Sequence, residues 1–137
     1  MENLRPQPSP NADTRRFWDA GRAGGLSLPK CRECGRIVCP PKPACPSCRS
    51  GALDWVTLSG RGRLKGWCRI HIAALPGREP PVTVVEVSLE EDPRATLVAL
   101  DEDGVVETLA PDAPLTLTFR PDPNGFSFPV VGSSEAE

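Results

Sequence analysis

A chain of 137 residues and 14.7 kDa can form one small domain, or a small module followed by a short barrel, but not a TIM barrel or a full dinucleotide-binding domain. Its 17 prolines and 12 glycines favour turns and extended segments over long helices, and one histidine with no tyrosine leaves little material for acid–base catalysis. The net charge of −2 at pH 7 argues against duplex nucleic acid as the main partner, because its binders usually carry a basic excess.

The N-terminal region predicts a flexible arm over residues 1–12, because this stretch is rich in proline and poor in apolar side chains. No apolar run resembles a secretory signal or a membrane span. We therefore expect a cytoplasmic protein without a membrane partner.

Residues 13–25 predict a short helix, with Asp13 as its N-cap and two glycines at its end. Phe17 and Trp18 give this helix an apolar side. The two rings could cover the metal module that follows, or they could anchor a partner protein, because aromatic anchors dominate interface energies.

Four of the six cysteines form two Cys-x-x-Cys knuckles, separated by ten residues. The knuckles contribute Cys31 and Cys34, and Cys45 and Cys48. A two-residue gap lets both thiolates face one centre while nearby backbone N–H groups turn toward the sulfur atoms. Gly35 and Gly51 follow the two knuckles and suit the tight turns that this arrangement needs. The spacing predicts a rubredoxin-like metal ribbon over residues 26–58.

Zinc is the metal that these four ligands favour, with one structural ion per chain. Disulfide bonds are one alternative, although a reducing compartment disfavours them. A single iron is another, because the same four thiolates can hold it. Since thiolates fill all four positions and leave none for water, we expect a structural and not a catalytic ion.

Cys39 and Cys68 lie outside the knuckles. Cys39 stands in the turn between them and could compete as a ligand, but it has no partner at knuckle spacing. Cys68 falls within a predicted strand and is most simply a small buried apolar residue. No base stands beside either thiol in the sequence, which argues against a nucleophile.

Beyond the ribbon, the sequence predicts a five-stranded barrel over residues 59–131 and a disordered tail over residues 132–137. The first strand, residues 61–72, alternates with period two between small or apolar residues and mostly basic ones. Further strands are predicted at residues 82–89, 94–100, 115–119 and 126–131. The predicted fold class is mainly β: a short helix, a zinc ribbon and an OB-fold barrel.

The order of several motifs gives the chain a family resemblance. They are Phe17-Trp18, Cys31-Arg32-Glu33-Cys34-Gly35, Pro40-Pro41, Cys45-Pro46-Ser47-Cys48, Asp54-Trp55 and Ser59-Gly60-Arg61-Gly62. From about residue 13 to about residue 131, this order resembles the zinc-ribbon/OB-fold acyl-CoA-associated family, catalogued as domain of unknown function thirty-five. The extra thiol of Cys39 and the weak final strand, residues 126–131, depart from the family pattern.

This resemblance implies an accessory subunit and not an enzyme that acts alone. Members of that family associate with thiolase-like enzymes, or with acyl-CoA hydratases or sterol-side-chain aldolases, and help to hold the acyl-CoA or to support the active site of the partner. In this chain, we expect the helix with Phe17 and Trp18 to contact such a partner.

A basic strand lies in the positive part of the chain, since residues 1–78 carry a charge balance of +9 and residues 79–137 one of −11. The predicted basic face holds Arg61, Arg63, Lys65 and Arg69, with Trp67 and His71. It could bind the phosphates of coenzyme A, which the resemblance favours, or single-stranded nucleic acid with a base on Trp67. It could also be a solvated face with ion pairs to the acidic half. The single histidine is assigned no catalytic role.

The sequence is also compatible with two other functions. The chain could be a free-standing ribbon–barrel that binds single-stranded nucleic acid, although its acidic balance makes nucleic acid an unlikely partner. It could also be a redox-responsive or metal-responsive protein that uses Cys39 and Cys68, although neither thiol has a context that lowers its pKa.

Overall fold

The structure is a computed structural model that describes residues 7–73, 79–123 and 125–133. The predicted arm and tail lie partly outside these ranges, at residues 1–6 and 134–137. The elements in chain order are α1 (Arg15–Arg22), β1 (Leu26–Cys31), β2 (Leu53–Leu58), β3 (Arg61–Ile70), β4 (Val82–Leu89), β5 (Asp92–Leu100), a 3₁₀ helix (Val105–Thr108), β6 (Pro114–Pro121) and β7 (Ser127–Ser133). In the described ranges, no helix is long and apolar enough to cross a membrane.

Helix α1 begins later than predicted, and Asp13 is not its cap. The N-cap position is Thr14, whose side chain makes no capping bond to the helix. Instead, the Asn11 side-chain oxygen accepts hydrogen bonds from the backbone N–H groups of Asp13 at 2.8 Å and Thr14 at 3.1 Å. The prediction for Asp13 is wrong because this Asx turn stands before the helix and positions its start.

One face of α1 packs against the barrel. The Phe17 ring meets the Phe119 ring edge-on with centroids 5.9 Å apart, and Trp18 meets Phe128 in the same manner at 5.6 Å. At Gly21, an added Cβ would lie 2.8 Å from the Phe119 ring. The helix approaches this closely because position 21 has no side chain.

The ribbon is built on an antiparallel pair, β1 and β2. The register runs from Leu26 opposite Leu58 to Cys31 opposite Leu53. This pairing brings the first knuckle to one end of a short sheet. The backbone N–H of Val38 donates to the Pro29 carbonyl at 2.8 Å and holds the turn between the knuckles against β1.

The last five strands close a barrel in the order β3-β4-β5-β7-β6. Neighbouring strands are antiparallel except β5 and β7, which meet in parallel at Leu100 and Val130. A small closed barrel of five strands with this order is an OB-fold. The predicted mainly β fold, with a short helix, a ribbon and an OB barrel, is confirmed.

Strand β3 contains a β-bulge that the sequence pattern did not reveal. Leu64 is opposite Val87 and Gly66 is opposite Glu86, so Lys65 is an extra residue on β3. Directly opposed residues share a face of the sheet. Leu64 and Val87 are buried, whereas Glu86 is exposed, so the bulge exchanges the inward and outward positions of β3.

The predicted single basic face is therefore wrong for the second half of β3. Trp67 is opposite Val85, which is fully buried, so Trp67 and Arg69 lie on the face opposite to that of Arg63. Both stay exposed because β6 pairs with β3 only at Arg61–Arg63. Cys68, predicted to be buried, is exposed because the bulge turns it to the outer face of the barrel, between Trp67 and Arg69.

Helix, ribbon and barrel share one hydrophobic core. It includes Phe17 from α1, Leu28 and Ile37 from the ribbon, and Val85 and Leu115 from the barrel. Because these side chains form one cluster, the position of the ribbon depends on the barrel beneath it.

A buried carboxylate also joins the ribbon to the barrel. Asp92, at the start of β5, is only 5% exposed. Its Oδ2 accepts a hydrogen bond from the backbone N–H of Ile37 in the ribbon at 2.9 Å. The Arg94 guanidinium donates to both carboxylate oxygens, at 2.9 and 3.1 Å.

Candidate metal centre and basic pocket

The structure brings together the four cysteines predicted to bind metal. Their sulfur atoms all lie within 4.8 Å of one another. Two of the pairs join Cys31 to Cys48 at 3.5 Å and Cys34 to Cys45 at 3.6 Å. Each of these pairs takes one sulfur from each knuckle, so the four ligands surround a single point. A tetrahedral ion with bonds of about 2.3 Å to each sulfur suits such a set.

Backbone hydrogen bonds prepare one cysteine of each knuckle for metal. The backbone N–H of Cys34 lowers the pKa of Cys31. In the second knuckle, the backbone N–H of Cys48 lowers the pKa of Cys45 to about 6. Since a metal ligand must be a thiolate, these bonds reduce the cost of deprotonation before binding.

The two knuckles turn alike, but the second does not use the predicted glycine. Gly35 donates its N–H to the Cys31 carbonyl at 2.9 Å, and Arg49 donates its N–H to the Cys45 carbonyl at 2.8 Å. Gly35 has φ +82° and Arg49 has φ +66°. The counterpart of Gly35 is therefore Arg49 and not Gly51, whose predicted turn role is wrong. Left-handed backbone favours glycine because a Cβ crowds the carbonyl there.

Gly35→Ala is expected to destabilise the ribbon by about 1 kcal/mol, since alanine is strained at positive φ. Gly51→Ala is the matched control, because a Cβ at either glycine meets no atom within 4 Å and only Gly35 has a positive φ. The rate at which a chelator removes zinc reports the difference. Equal rates for the two variants would contradict this account of the first knuckle.

The two remaining cysteines lie away from the four-thiolate site. Cys39 is half-buried, and burial raises the pKa of its thiol to about 11. Its thiol is therefore protonated at neutral pH and is a poor nucleophile. Cys68 is exposed on β3.

The two aromatic residues predicted to contact a partner differ in exposure. Phe17 is only 7% exposed and belongs to the core. Trp18 is half-buried and lines a groove of about 450 Å³ between α1, the Cys39–Pro40 turn, β5 and β7. The walls of this groove are mostly apolar and include Leu97 on β5.

The three arginines of β3 are engaged by acidic residues or carbonyl groups of the same chain. The Arg61 guanidinium donates to both oxygens of Glu90, at 3.0 to 3.3 Å. This contact lowers the pKa of Glu90. Arg63 donates to the Asp112 carbonyl at 3.0 Å. These contacts agree with the interpretation that ion pairs join the basic and acidic parts of the chain.

At the other end of β3, Arg69 makes separate contacts. Its guanidinium pairs with Glu107 at 2.7 Å and lies 5.1 Å from the centre of the Trp67 ring. Arg69 therefore covers the aromatic surface on which a nucleic-acid base was predicted to stack. The exposed His71 follows this strand end.

Arg61, Arg63 and Lys65 line one pocket of about 570 Å³, which we call the basic pocket. Its remaining walls come from the β4–β5 turn and the start of β6, and include Ser88, Glu90, Pro93, Asp112 and Pro114. Arg69 is not among its lining residues. The structure thus brings together three of the four predicted cations and separates the fourth.

Two family models match consecutive parts of the chain. Residues 18–54 match the ChsH2 rubredoxin-like zinc ribbon domain, and residues 55–120 match the ChsH2 C-terminal OB-fold domain. The chain belongs to the ChsH2 family. The predicted family resemblance is confirmed, and so is the cofactor: the ribbon holds one structural zinc between its four cysteines.

Two curated relatives of the chain are longer proteins. A probable enoyl-CoA hydratase alpha subunit of Thermomonospora curvata is 33% identical over 130 residues, which cover 86% of this chain and 40% of that protein. The 3-oxo-4,17-pregnadiene-20-carboxyl-CoA hydratase alpha subunit of Mycobacterium tuberculosis is 34% identical over 88 residues, covering 64% of this chain and 28% of that protein. The chain thus spans less than half the length of these two relatives.

Two further similarities fit the same family. A DUF35 domain-containing scaffold protein of Methanocaldococcus jannaschii is 29% identical over 69 residues, which cover 49% of each chain. A solved structure described as an Ltp2-ChsH2(DUF35) aldolase superimposes with a TM-score of 0.77 at 27% identity, covering 91% of this chain and 97% of that chain. The ChsH2 fold therefore extends over nearly all of both chains.

Proposed function

We propose that this protein is a non-catalytic accessory subunit of an enzyme complex that processes acyl-CoA thioesters. Its partner is a thiolase-like enzyme, an aldolase or an acyl-CoA hydratase subunit. The observation that carries the proposal is the match to the chain of the Ltp2-ChsH2(DUF35) aldolase structure over 97% of its length. The names of the two hydratase alpha subunits support the same class of substrate.

The chemistry of the described residues supports a role without catalysis. The four thiolates fill the coordination sphere of the zinc and leave no position for a reacting water. Burial keeps the Cys39 thiol protonated, so it is not an activated nucleophile. The proposed location is the cytoplasm, where a reducing environment preserves the thiolates.

The test is coexpression with a thiolase-like or hydratase protein encoded beside it, followed by size-exclusion chromatography and an acyl-CoA turnover assay. We expect the two proteins to elute together, and the isolated chain to show no turnover. Activity should appear only with the partner. Turnover by the isolated chain at a rate that the partner does not change would contradict the accessory role.

Trp18 is the aromatic residue that we propose as a partner contact, because Phe17 has almost no exposed surface. Trp18→Ala should weaken the complex by about 1–3 kcal/mol if the ring is an interface anchor. Ile72→Ala is the matched control, since Ile72 is 71% exposed and is not among the lining residues of the groove. Calorimetric titration with the partner measures both variants, and thermal melting shows that each is folded. Equal weakening by both variants would argue against Trp18 as the anchor.

A further inference from the structure

The β-bulge at Lys65 gathers three cations into one pocket. Before the bulge, Arg61 and Arg63 alternate with the buried Gly62 and Leu64 and therefore project to the outside of the barrel. Lys65 is the extra residue of the bulge and is exposed beside them. Three positive charges within five residues of one strand thus face the same basic pocket.

One wall of the basic pocket is an anion that the chain itself provides. The Glu90 carboxylate accepts two N–H groups of the Arg61 fork, the geometry by which arginine also binds a phosphate. Both side chains of this pair are more than half exposed, at 61% and 52%. An exposed pair of this kind contributes little to stability, so a stronger anion can displace the carboxylate at small cost.

The other two cations are also placed to donate. Arg63 uses Nη1 for the Asp112 carbonyl, and a guanidinium has further N–H groups with which to reach a ligand. Lys65 brings a compact ammonium group that can approach a phosphate oxygen from any direction. Two arginines and one lysine are the donors that phosphate sites commonly use.

We infer that the basic pocket, formed by Arg61, Arg63 and Lys65, binds the phosphate groups of a small ligand in competition with Glu90. The identity of that ligand rests on the proposed function: coenzyme A carries a 3′-phosphate and a pyrophosphate. Arg69 has no part in this site, because it lies beyond the bulge on the other face and pairs with Glu107.

The experiment is calorimetric titration of coenzyme A into the full chain and into its complex with the partner, at low and high salt. Arg63→Ala with Lys65→Ala should weaken binding about tenfold, because two charged donors to phosphate are lost. Glu90→Gln should tighten binding about two- to fivefold by removing the competing carboxylate. Arg69→Ala is the matched control on the same strand and should leave binding unchanged. If loss of the Arg63 contact disturbs the turn at Asp112, just before β6, Lys65→Ala alone tests the site.

Titration of other phosphate-containing ligands shows which of them the basic pocket prefers. Dephospho-coenzyme A should bind more weakly than coenzyme A, and added salt should weaken both. Equal loss in the Arg69 variant, no effect of Glu90→Gln, or tighter binding of a single-stranded oligonucleotide than of coenzyme A would each overturn the inference. So would the absence of coenzyme A binding to the chain and to its complex. Coelution with the partner is measured separately, so failure of this site does not count against the accessory role.

Discussion

Cys45→Ser is expected to release the zinc and to unfold the ribbon while the barrel remains folded. The sheet of the ribbon has only two short strands, and Cys45 is buried with its thiolate among the other three. Binding of structural zinc contributes about 10–16 kcal/mol in small modules of this kind, so metal binding and folding are coupled. The barrel is expected to stay folded because its five strands pair with one another and carry none of the four cysteine ligands.

Elemental analysis and limited proteolysis measure this result. The wild-type protein should hold one zinc per chain, and the variant should lose it and become cleavable between residues 31 and 51. Cys68→Ser is the matched control, because Cys68 is exposed and lies outside the four-thiolate cluster. A reduced, folded wild-type sample with no metal would overturn the zinc assignment, and iron in place of zinc would correct it.

The metal site was predictable because its information is local. A two-residue gap between cysteines places two sulfur atoms on one centre whatever the rest of the fold does. The left-handed backbone of Arg49 was not predicted, because glycine is the residue expected at positive φ and Gly51 stands two positions further along. The sequence did contain a signal for the conformation of Arg49, since Arg49 follows Cys48 just as Gly35 follows Cys34.

The number of barrel strands and their positions along the chain were also predictable. Which residues of β3 face inward and which face outward was not. Period-two alternation predicts a face only while the register holds, and one extra residue reverses every position that follows. Gly66 next to Lys65 was the available signal, because a glycine inside a strand often marks a bulge. Contacts between distant parts of the chain, such as that of Asp92 with Ile37, leave no pattern in the sequence.

Asp92→Asn is expected to destabilise the junction of ribbon and barrel by about 1–3 kcal/mol. Both oxygens of the buried carboxylate accept hydrogen bonds, from Ile37 and from Arg94. An asparagine has one acceptor oxygen and would turn its NH₂ group toward one of these donors. Asp54→Asn is the matched control, because its ion pair with Arg32 is exposed on both sides and should contribute less than about 1 kcal/mol. Urea unfolding at pH 7 measures both variants, and equal losses would contradict a special role for Asp92.

The contribution of Asp92 should depend on pH in a definite direction. Burial raises the pKa of its carboxyl, but the hydrogen bonds from the Arg94 side chain and from the backbone N–H groups of Ile37 and Arg94 outweigh this effect and leave the pKa lowered. The ionised form is therefore the one that stabilises the fold. Its contribution is fully present above the unfolded-state pKa of about 3.9 and is lost as the pH falls from there toward the lower folded-state value.

Comparison of the wild-type protein with Asp92→Asn separates this titration from the loss of zinc. Acid also protonates the four thiolates and releases the metal, but it does so in both proteins. The difference in unfolding free energy between the two should stay constant from pH 7 to about pH 4 and shrink below that value, because only the wild type has a carboxyl to protonate. A difference that grew as the pH fell would mean that the protonated carboxyl is the stabilising form, and the junction would then need another explanation.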